Sequence, residues 1–346
     1  MEHYAGLDVS LKEISICVVD RDGKMIARGA CPSDPEGVAG WFRNRSLMPR
    51  RIVHESGNLS IWLQRGMTRL GLPATCIDAR KAHKSLSARL NKSDASDAEG
   101  LAQLARTGWF TEVHIRSEEA DRLRCLVGAR ERSIRLRKDL EGHIRGVLKT
   151  FGIRMVGIGE GRQRQAFRDQ LAAAGATDPV LRAIADGFIS AHATLCKVAD
   201  DLDKAVKKRA KAHPVARRLM TIPGVGPVNA LSFIALVDDP GRFSRTSDVG
   251  AFLGLTPKRH QSGEVDWSGR VSKCGDGAMR GLLFEAASCM IGQVKRFSPL
   301  KSWAVRLAGR RGFRKAAVAT ARKIAVLMLT LWKNETEYQW TKEATA

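Results

Sequence analysis

Four carboxylates in the first hundred residues have types and spacing that could bind metal ions. Asp8 follows "YAGL" and Glu55 ends "RIVHE", two short runs typical of strands. Asp94 and Asp97 lie three residues apart in "KSDASDAE", where a helical pattern begins, so both face one side of its first turn. Strand ends can bring residues that are distant in sequence to one edge of a sheet. The four carboxylates could therefore converge.

Such a convergence has a definite chemistry. Four like charges do not all stay ionised at one site without a counter-charge. A divalent cation supplies that charge, and Mg²⁺ or Mn²⁺ prefers carboxylate oxygens. Two ions about 4 Å apart activate the attacking oxygen and stabilise the leaving oxygen in phosphodiester chemistry. Helix capping is the alternative, because Ser93 or Asp94 could cap the helix and first-turn acids favour its dipole. Spacing alone leaves both interpretations open.

The acids are conspicuous because the chain is strongly basic. Its 346 residues include 58 Lys and Arg against 36 Asp and Glu, which gives a formal net charge of +22 at pH 7. This charge favours a polyanionic partner, most commonly nucleic acid. The length predicts two or three domains. A hydrophobic fraction of 44% is enough for folded cores and excludes a disordered basic tail.

Cysteine usage and the N-terminal sequence predict a cytoplasmic protein. The seven cysteines are odd in number and form no C-x-x-C pair, which favours a reducing compartment and no structural zinc. The start "MEHYAGLDVS" is too polar for a signal peptide. Arg322 and Lys323 interrupt the most apolar late segment. That segment therefore predicts a buried helix, and no membrane partner is expected.

The first third of the chain alternates strand and helix patterns. The runs "HYAGLDVS", "ISICVVD" and "KMIARGA" predict a three-stranded meander. A helix, a strand, a helix, a strand and the helix beginning at "DASDAE" follow. The order β-β-β-α-β-α-β-α predicts a mixed sheet flanked by helices.

A long, charged, helical pattern follows. The segments "EADRLRCLVGARERSIRLRKDLEGHIRGVLKTF" and "ATLCKVADDLDKAVKKRAKAH" are amphipathic and are separated by the Gly-rich break "GIRMVGIGEGRQRQ". They could pair as an antiparallel arm, with dimerisation through a coiled coil. A solvated helical spacer is the alternative.

A glycine-rich turn marks the start of the last region, which is predicted to be mostly helical. Gly224 and Gly226 lie in "IPGVGP" between two apolar helical runs. Such a turn points backbone N–H groups outward beside a helix N-terminus, which suits a DNA phosphate. The neighbouring Arg217 and Arg218 favour that hypothesis over a simple tight turn between packed helices.

The segment "GLTPKRHQSGEVDWSGRVSKCG" surrounds Ser262 with cationic residues and a histidine: Lys258, Arg259, His260, Arg270 and Lys273. A serine hydroxyl needs a base or a positive field to act as a nucleophile, and phosphoryl transfer needs cations around the phosphate. From the residues alone, Ser262 is no better a candidate than Ser268 or Ser272, and a turn serine is the alternative.

A second basic stretch spans residues 293–323. It holds ten Lys and Arg and no acid, with Phe297, Trp303 and Phe313 interleaved. A helical run of one sign can lie along a phosphate backbone. The aromatic side chains are predicted to be core residues.

Several of these motifs, in this order, resemble one known family. "GLDVS", "HESG", "NKSDASDAEGLA", "IPGVGPVNALSFIALVDDPGRF", "AFLGLTPKRHQSG" and "GRVSKCGDGAMRGLL" are similar to motifs in transposases of the one-hundred-and-ten insertion-sequence family, whose relatives include the Piv and MooV DNA invertases. The resemblance covers nearly the whole chain. It implies a RuvC-like (ribonuclease-H-like) domain over residues 1–115, a coiled-coil linker over 116–212 and a C-terminal transposase domain with a helix-hairpin-helix-like element over 213–346.

The resemblance also implies a mechanism. Asp8, Glu55, Asp94 and Asp97 match the family's DEDD tetrad of Mg²⁺ ligands, and Ser262 matches its nucleophile on DNA phosphate. The family forms a composite site between subunits, so a homodimer is expected, with a tetramer in the synaptic complex. Members of the family use a structured bridge RNA to choose donor and target DNA, so the resemblance implies such an RNA as a partner here. Three alternatives remain: a Piv-like invertase without a guide RNA, a Holliday-junction resolvase that uses only the tetrad, and a non-catalytic nucleic-acid-binding protein.

Overall fold

The computed structural model describes residues 2–86, 94–155, 161–176, 178–263 and 265–340, without the side chains of Asp94, Ala95, His260 and Val265. The chain divides into two compact units, Met1–Arg116 and Ser117–Ala346. Residues of the expected linker and of the expected C-terminal domain share the second unit. Their separation into two domains stays a prediction.

A five-stranded mixed sheet forms the centre of the first unit. Its strands β1 to β5 are Tyr4–Val9, Glu13–Val19, Met25–Pro32, Arg51–Glu55 and Ala74–Ile77. They lie in the order β3-β2-β1-β4-β5. The first three are antiparallel neighbours, whereas β4 is parallel to β1 and to β5. The predicted mixed sheet is confirmed, and the arrangement is consistent with a RuvC-like domain.

Helices cover both faces of this sheet. They are α1 (Pro35–Arg43), α2 (Ser60–Arg69), α3 (Ala79–Leu86) and α4 (Asp94–Thr107). Apolar side chains of α1 and α2 pack with Ala5 and Leu7 on one face, and those of α4 pack with Tyr4 and Val53 on the other. The sequence did not predict α3, because Ala82 is its only buried residue and its apolar periodicity is therefore weak.

Three helices open the second unit. They are α5 (Glu118–Lys149), α6 (Arg162–Ala174) and α7 (Pro179–Ala212). Ion pairs join Glu119 to Arg209 and Arg130 to Asp203, so the two long helices pack antiparallel, as the sequence suggested. Two expectations were wrong in extent. α7 begins well before "ATLCKVAD", because Asp178 caps it, and α6 begins inside the predicted Gly-rich break.

Among its described residues, the rest of the second unit is helical apart from one hairpin. Its elements are α8 (Pro214–Leu219), α9 (Pro227–Val237), α10 (Asp248–Phe252), β6 (Pro257–Ser262), β7 (Val265–Val271), α11 (Gly277–Gly292), α12 (Pro299–Arg311) and α13 (Phe313–Asn334). The predicted late buried helix is α13, whose apolar face enters the core. The prediction that Phe297 and Phe313 are core residues was wrong, because they lie just before α12 and at the start of α13 and are 63% and 47% exposed. Over the described residues, every helix is too short or too polar to cross a membrane.

Candidate active site

The carboxylates of Asp8 and Glu55 are positioned by neighbouring parallel strands. Leu7 on β1 lies opposite His54 on β4, so Asp8 and Glu55 come next in register, at the carboxyl ends of their strands. Successive strand side chains point to opposite faces. Tyr4 and Val53 belong to the core under α4. Asp8 and Glu55, which lie an even number of residues further on, therefore face α4 as well.

Helix α4 crosses this face in the direction opposite to β1. It comes so close at Gly6 that a Cβ there would lie 2.2 Å from the carbonyl oxygen of Ala98. At the other end of the helix, Arg51 Nη1 donates to the Ala105 carbonyl at 3.0 Å, and Arg51 begins β4. The first turn of α4 therefore lies at the carboxyl ends of β1 and β4.

Asp94 and Asp97 belong to that first turn. From Ala98 back to Asp94 the helix rises about 6 Å, and from Gly6 on to Asp8 the strand advances about 7 Å in the same direction. The backbone of Asp94 is thus level with Asp8, and the half-buried Asp97 precedes Ala98. All four acidic residues lie at one edge and on one face of the sheet.

Their chemistry fits a hard divalent cation. Carboxylate oxygens suit Mg²⁺ or Mn²⁺, whereas structural zinc sites use cysteine and histidine. Among the described side chains, which leave out that of Asp94, no group of three or more acidic, histidine or cysteine residues is close enough to hold an ion. Metal ligation by the tetrad therefore stays a prediction.

A buried hydrogen-bond chain lies directly behind Glu55. His54 is completely buried, and its Nε2 lies 2.8 Å from Gln64 Oε1. Gln64 Nε2 in turn donates to the Ala74 carbonyl at 2.6 Å. Burial lowers the pKa of His54, which favours the neutral ring, and a proton on Nε2 would let that ring donate to the oxygen of Gln64. The chain links β4 to α2 and β5. We did not predict it, although a histidine in an apolar strand was a signal.

Ser262 ends β6 at the tip of the hairpin, where it is exposed. The register pairs Ser262 with Val265 and Arg259 with Ser268, so alternation puts Ser262 and Arg259 on opposite faces. Arg259 donates to the Asp266 carboxylate from Nε (2.9 Å) and Nη2. These hydrogen bonds hold the pKa of Asp266 below its usual value. The charge of Arg259 is thus offset locally.

The glycine-rich turn joins α8 to α9, as predicted. Gly224 has a φ of 86°, and a Cβ there would lie 2.3 Å from the Ala286 carbonyl oxygen on α11. Backbone conformation and close packing therefore explain the glycine at 224. Gly226 precedes α9 at a φ of −97°, and a Cβ there would meet nothing within 4 Å. Phosphate binding by this turn stays a prediction.

Comparison with known proteins decides the family. A model described as the transposase IS116/IS110/IS902 family matches residues 216–301, and a second transposase model, for the DEDD transposases of IS110, matches residues 5–153. The chain belongs to the IS110 family of insertion-sequence transposases. The first match covers the glycine-rich turn and the hairpin, and the second covers α4 and the sheet except for its first residue, Tyr4.

Individual transposases are similar over most of this chain. The transposase for insertion sequence element IS1111A of Coxiella burnetii is 29% identical, and the alignment covers 96% of this chain and 90% of that protein. A probable family 20 transposase of Pseudomonas aeruginosa is 26% identical, with 96% and 98% covered. A putative transposase of Sinorhizobium fredii, y4pF/y4sB, is 31% identical, with 72% and 64% covered.

The hairpin distributes the cations that the sequence groups around Ser262. Lys258 is exposed on β6, whereas Arg270 and Lys273 lie at the base of the hairpin, near α13. The structure therefore does not gather these cations around the serine hydroxyl of the transposase. Their contact with nucleic acid stays a prediction.

Trp267 is a candidate that sequence reasoning missed. It shares a hairpin face with Ser262 by alternation and is 51% exposed. Its ring lies against Gly269, where a Cβ would be 2.9 Å from Cζ3. The available signal was a tryptophan in a short polar segment next to a Ser-Gly step. An exposed indole here could stack on a DNA base.

Proposed function

We propose that this transposase cuts and rejoins DNA with the help of divalent metal held by Asp8, Glu55, Asp94 and Asp97. The supporting observation is their common edge and face, which the β1–β4 register and the α4 contact at Gly6 bring about. Bound Mg²⁺ or Mn²⁺ would supply charge stabilisation and a lower pKa for an attacking oxygen. The sheet and α4 bring the backbones of these residues to one edge, which supports the proposal.

Ser262 is the proposed nucleophile. Attack of its Oγ on a DNA phosphorus forms a serine–phosphate ester and releases one sugar hydroxyl, while the serine proton passes to a base or solvent. The sugar hydroxyl of another strand then reverses the step and joins new partners. Exposure at the hairpin tip supports this role, since a phosphate can reach the hydroxyl. A homodimer, with a tetramer in the synaptic complex, would combine the carboxylates of one subunit with the serine of another.

Donor and target DNA are the proposed substrates, and a structured bridge RNA is the proposed guide. The net charge of +22 supports two polyanionic partners. A Piv-like inversion without RNA uses the same chemistry. RNA that co-purifies with the active protein would favour the guided reaction, whereas active protein without RNA would favour inversion.

Strand cleavage and joining in Mg²⁺ test the two catalytic roles separately. We expect Asp8→Asn and Ser262→Ala each to lower strand exchange by at least about 100-fold, because metal ligation and the nucleophile each contribute several kcal/mol. Glu99→Gln is the control for the charge change, since it neutralises an acid of α4 that has no proposed role.

The pattern of losses separates the alternatives. Normal exchange by Ser262→Ala, together with loss in Asp8→Asn, would indicate a resolvase that needs only the acids. Normal activity in both variants would exclude both proposed roles. Equal loss in Glu99→Gln would show that any charge change in α4 disrupts the protein.

A further inference from the structure

A large groove lies in the second unit between the hairpin base, α12 and α13. Its volume is about 1460 Å³. β7 contributes Gly269 to its wall, and Tyr338 borders it after the end of α13. The floor is apolar and includes Leu255, Val271, Leu300, Trp303, Val318 and Leu327. A water-exposed apolar surface of this size indicates a binding site.

Cations border this floor. Among the described residues that line the groove, none is acidic and six are exposed basic side chains: Arg270, Lys273, Arg314, Lys315, Arg322 and Lys323. Within the described part of the chain, no ion pair with a carboxylate involves any of the six. The groove thus combines positive charge at its borders with an apolar base.

Two of these cations are held by specific contacts. Lys323 Nζ lies 4.3 Å from the ring centroid of Trp303, a distance typical of a cation–π interaction. Arg322 packs so closely on α10 that a Cβ at Gly250 would lie 3.1 Å from its Nε. The indole and these charges are thus presented together at the groove.

We infer that this groove binds an unpaired strand of DNA. In duplex DNA the base faces are stacked on one another, so they cannot contact the apolar floor of the groove. A single strand places its bases on apolar and aromatic side chains and its phosphates on flanking cations. The inference deepens the proposed DNA rejoining and rests on it for the choice of DNA, since it names the form in which the strand is held.

Other occupants fit the groove less well. A second copy of this chain would have to present an acidic surface to these cations, and a chain with a net charge of +22 has few acids for that; the proposed homodimer would use other surfaces. The terminal residues 341–346, "TKEATA", contain no large apolar side chain to cover the floor. An anionic strand with exposed bases matches both the charge and the apolar surface.

The groove also leads toward Ser262. The hairpin extends from the Pro257–Val271 pair at its base to the Ser262–Val265 pair at its tip, about 17 Å along the strand. Gly269 in the groove wall shares its face with Trp267. A DNA strand that leaves the groove along this face of the hairpin would reach the indole of Trp267 and then the hydroxyl of Ser262.

Metal-free binding to the full chain tests the cations. The probe is a labelled single-stranded DNA of about 16 nucleotides, within the site sizes of such grooves, in a chelator at several salt concentrations. We expect the double variant Arg314→Ala/Lys315→Ala to bind more weakly and to reduce the slope of log affinity against log salt by about 1.4. The control is Lys208→Ala/Lys211→Ala on α7, which removes two exposed cations elsewhere.

The indole is tested with the same probe. We expect Trp303→Ala to weaken single-strand binding about tenfold, the usual effect of losing one stacked base, and Trp303→Phe to retain most of the affinity. A probe with 5-iodouracil should crosslink to Trp303 or its neighbours. If circular dichroism shows that the Trp303→Ala variant is not folded, the Arg314→Ala/Lys315→Ala variant and the crosslink still test the inference.

Three results would overturn the inference. The first is that the α7 control variant weakens single-strand binding as much as the groove variant does. The second is that the groove substitutions weaken binding of the duplex form of the probe equally. The third is that they weaken binding only of an RNA of the same sequence. Because the binding assay contains no metal and no cleavage step, none of these results tests the proposed roles of Asp8 and Ser262, which the strand-exchange experiment tests separately. Conversely, if strand exchange showed that Asp8 and Ser262 have no catalytic role, binding of the single strand by the groove would still stand.

Discussion

The acidic edge of the first unit and the basic groove of the second are constructed in different ways. Asp8 and Glu55 lie side by side only because β1 and β4 are parallel neighbours in a particular register. Four of the groove cations, by contrast, come from α13, where sequence spacing alone determines their placement: Arg314, Lys315, Arg322 and Lys323. The acidic edge therefore depends on long-range packing, and the basic groove depends largely on one helix.

The difference has an electrostatic reason. Carboxylates that are half removed from water would repel one another strongly if they converged, so the fold would have to hold them in place. The exposed cations of α13 repel weakly, because water and salt screen them. We therefore expect a single substitution at the acidic edge to abolish strand cleavage, whereas a single substitution in the basic groove should weaken single-strand binding only partly.

The largest effect is expected at the contact between β1 and α4. Gly6→Ala would place a Cβ 2.2 Å from the Ala98 carbonyl oxygen, and neither backbone can move away without shifting the helix. We expect the first unit to lose about 3 kcal/mol of stability and strand cleavage to disappear, while single-strand binding persists. Urea unfolding and cleavage assays measure both effects.

Gly40→Ala on α1 is the matched control, since a Cβ there meets nothing within 4 Å. It should be neutral or slightly stabilising. A Gly6→Ala protein with normal stability and normal cleavage would show that α4 does not lie on β1. The acidic edge would then not depend on long-range packing, contrary to the proposed difference between the two regions.

Sequence patterns predicted the sheet because its strands are short apolar runs separated by turn residues. They did not predict the β6–β7 hairpin. Its first strand, "PKRHQS", is polar on both faces and lacks an alternating pattern. Its second strand, "VDWSGRV", does alternate apolar and polar residues, and that signal was missed. Nor could sequence patterns show why residue 6 is glycine, because the reason is a helix some ninety residues later. Local periodicity is visible in a sequence, whereas close approach between distant segments is not.

The candidate site divides in the same way. The four acids could be grouped from strand ends and D-x-x-D spacing, and the structure brings their backbones to one edge. The chain from His54 through Gln64 to Ala74 was not predictable, because it depends on which helix packs beside β4. Ser262 stood out only through family resemblance, since hydroxyl chemistry alone favours no one of the three serines in its segment.

A smaller effect is expected at the turn before α9. Gly224→Ala combines a positive φ of 86° with a Cβ 2.3 Å from the Ala286 carbonyl oxygen. The left-handed conformation alone costs about 1–2 kcal/mol, so we expect the second unit to lose about 2–3 kcal/mol in urea unfolding. Cleavage should fall only as far as the folded fraction falls.

Gly226→Ala provides the comparison within the same turn. Its φ is −97° and the space around its Cβ position is open, so stability should stay the same or rise by up to about 1 kcal/mol. Equal destabilisation by the two alanines would mean that conformational freedom of the whole turn, and not the contact with α11, determines its stability.

The smallest effect is expected at a purely local contact, the cap of α8. The backbone N–H of Ala216 donates to His213 Nδ1 at 3.4 Å, which requires an unprotonated nitrogen. Burial and the nearby Arg209 lower the pKa of His213. A histidine whose folded pKa lies below its unfolded value of about 6.5 adds stability above that pH and loses it as the pH falls further.

His213→Asn tests this sign, because asparagine is a good N-cap that does not titrate. Between pH 7.5 and 5.5 we expect unfolding of the natural protein to become easier than that of the variant, by at most about 1 kcal/mol, the usual contribution of an N-cap. Because the cap spans only three residues, its loss should leave cleavage and single-strand binding unchanged. An equal pH dependence of both proteins would show that His213 keeps its cap when protonated, or that the contact contributes nothing. A loss of cleavage would show that a local contact in the second unit governs the acidic edge, contrary to the distinction between the two regions.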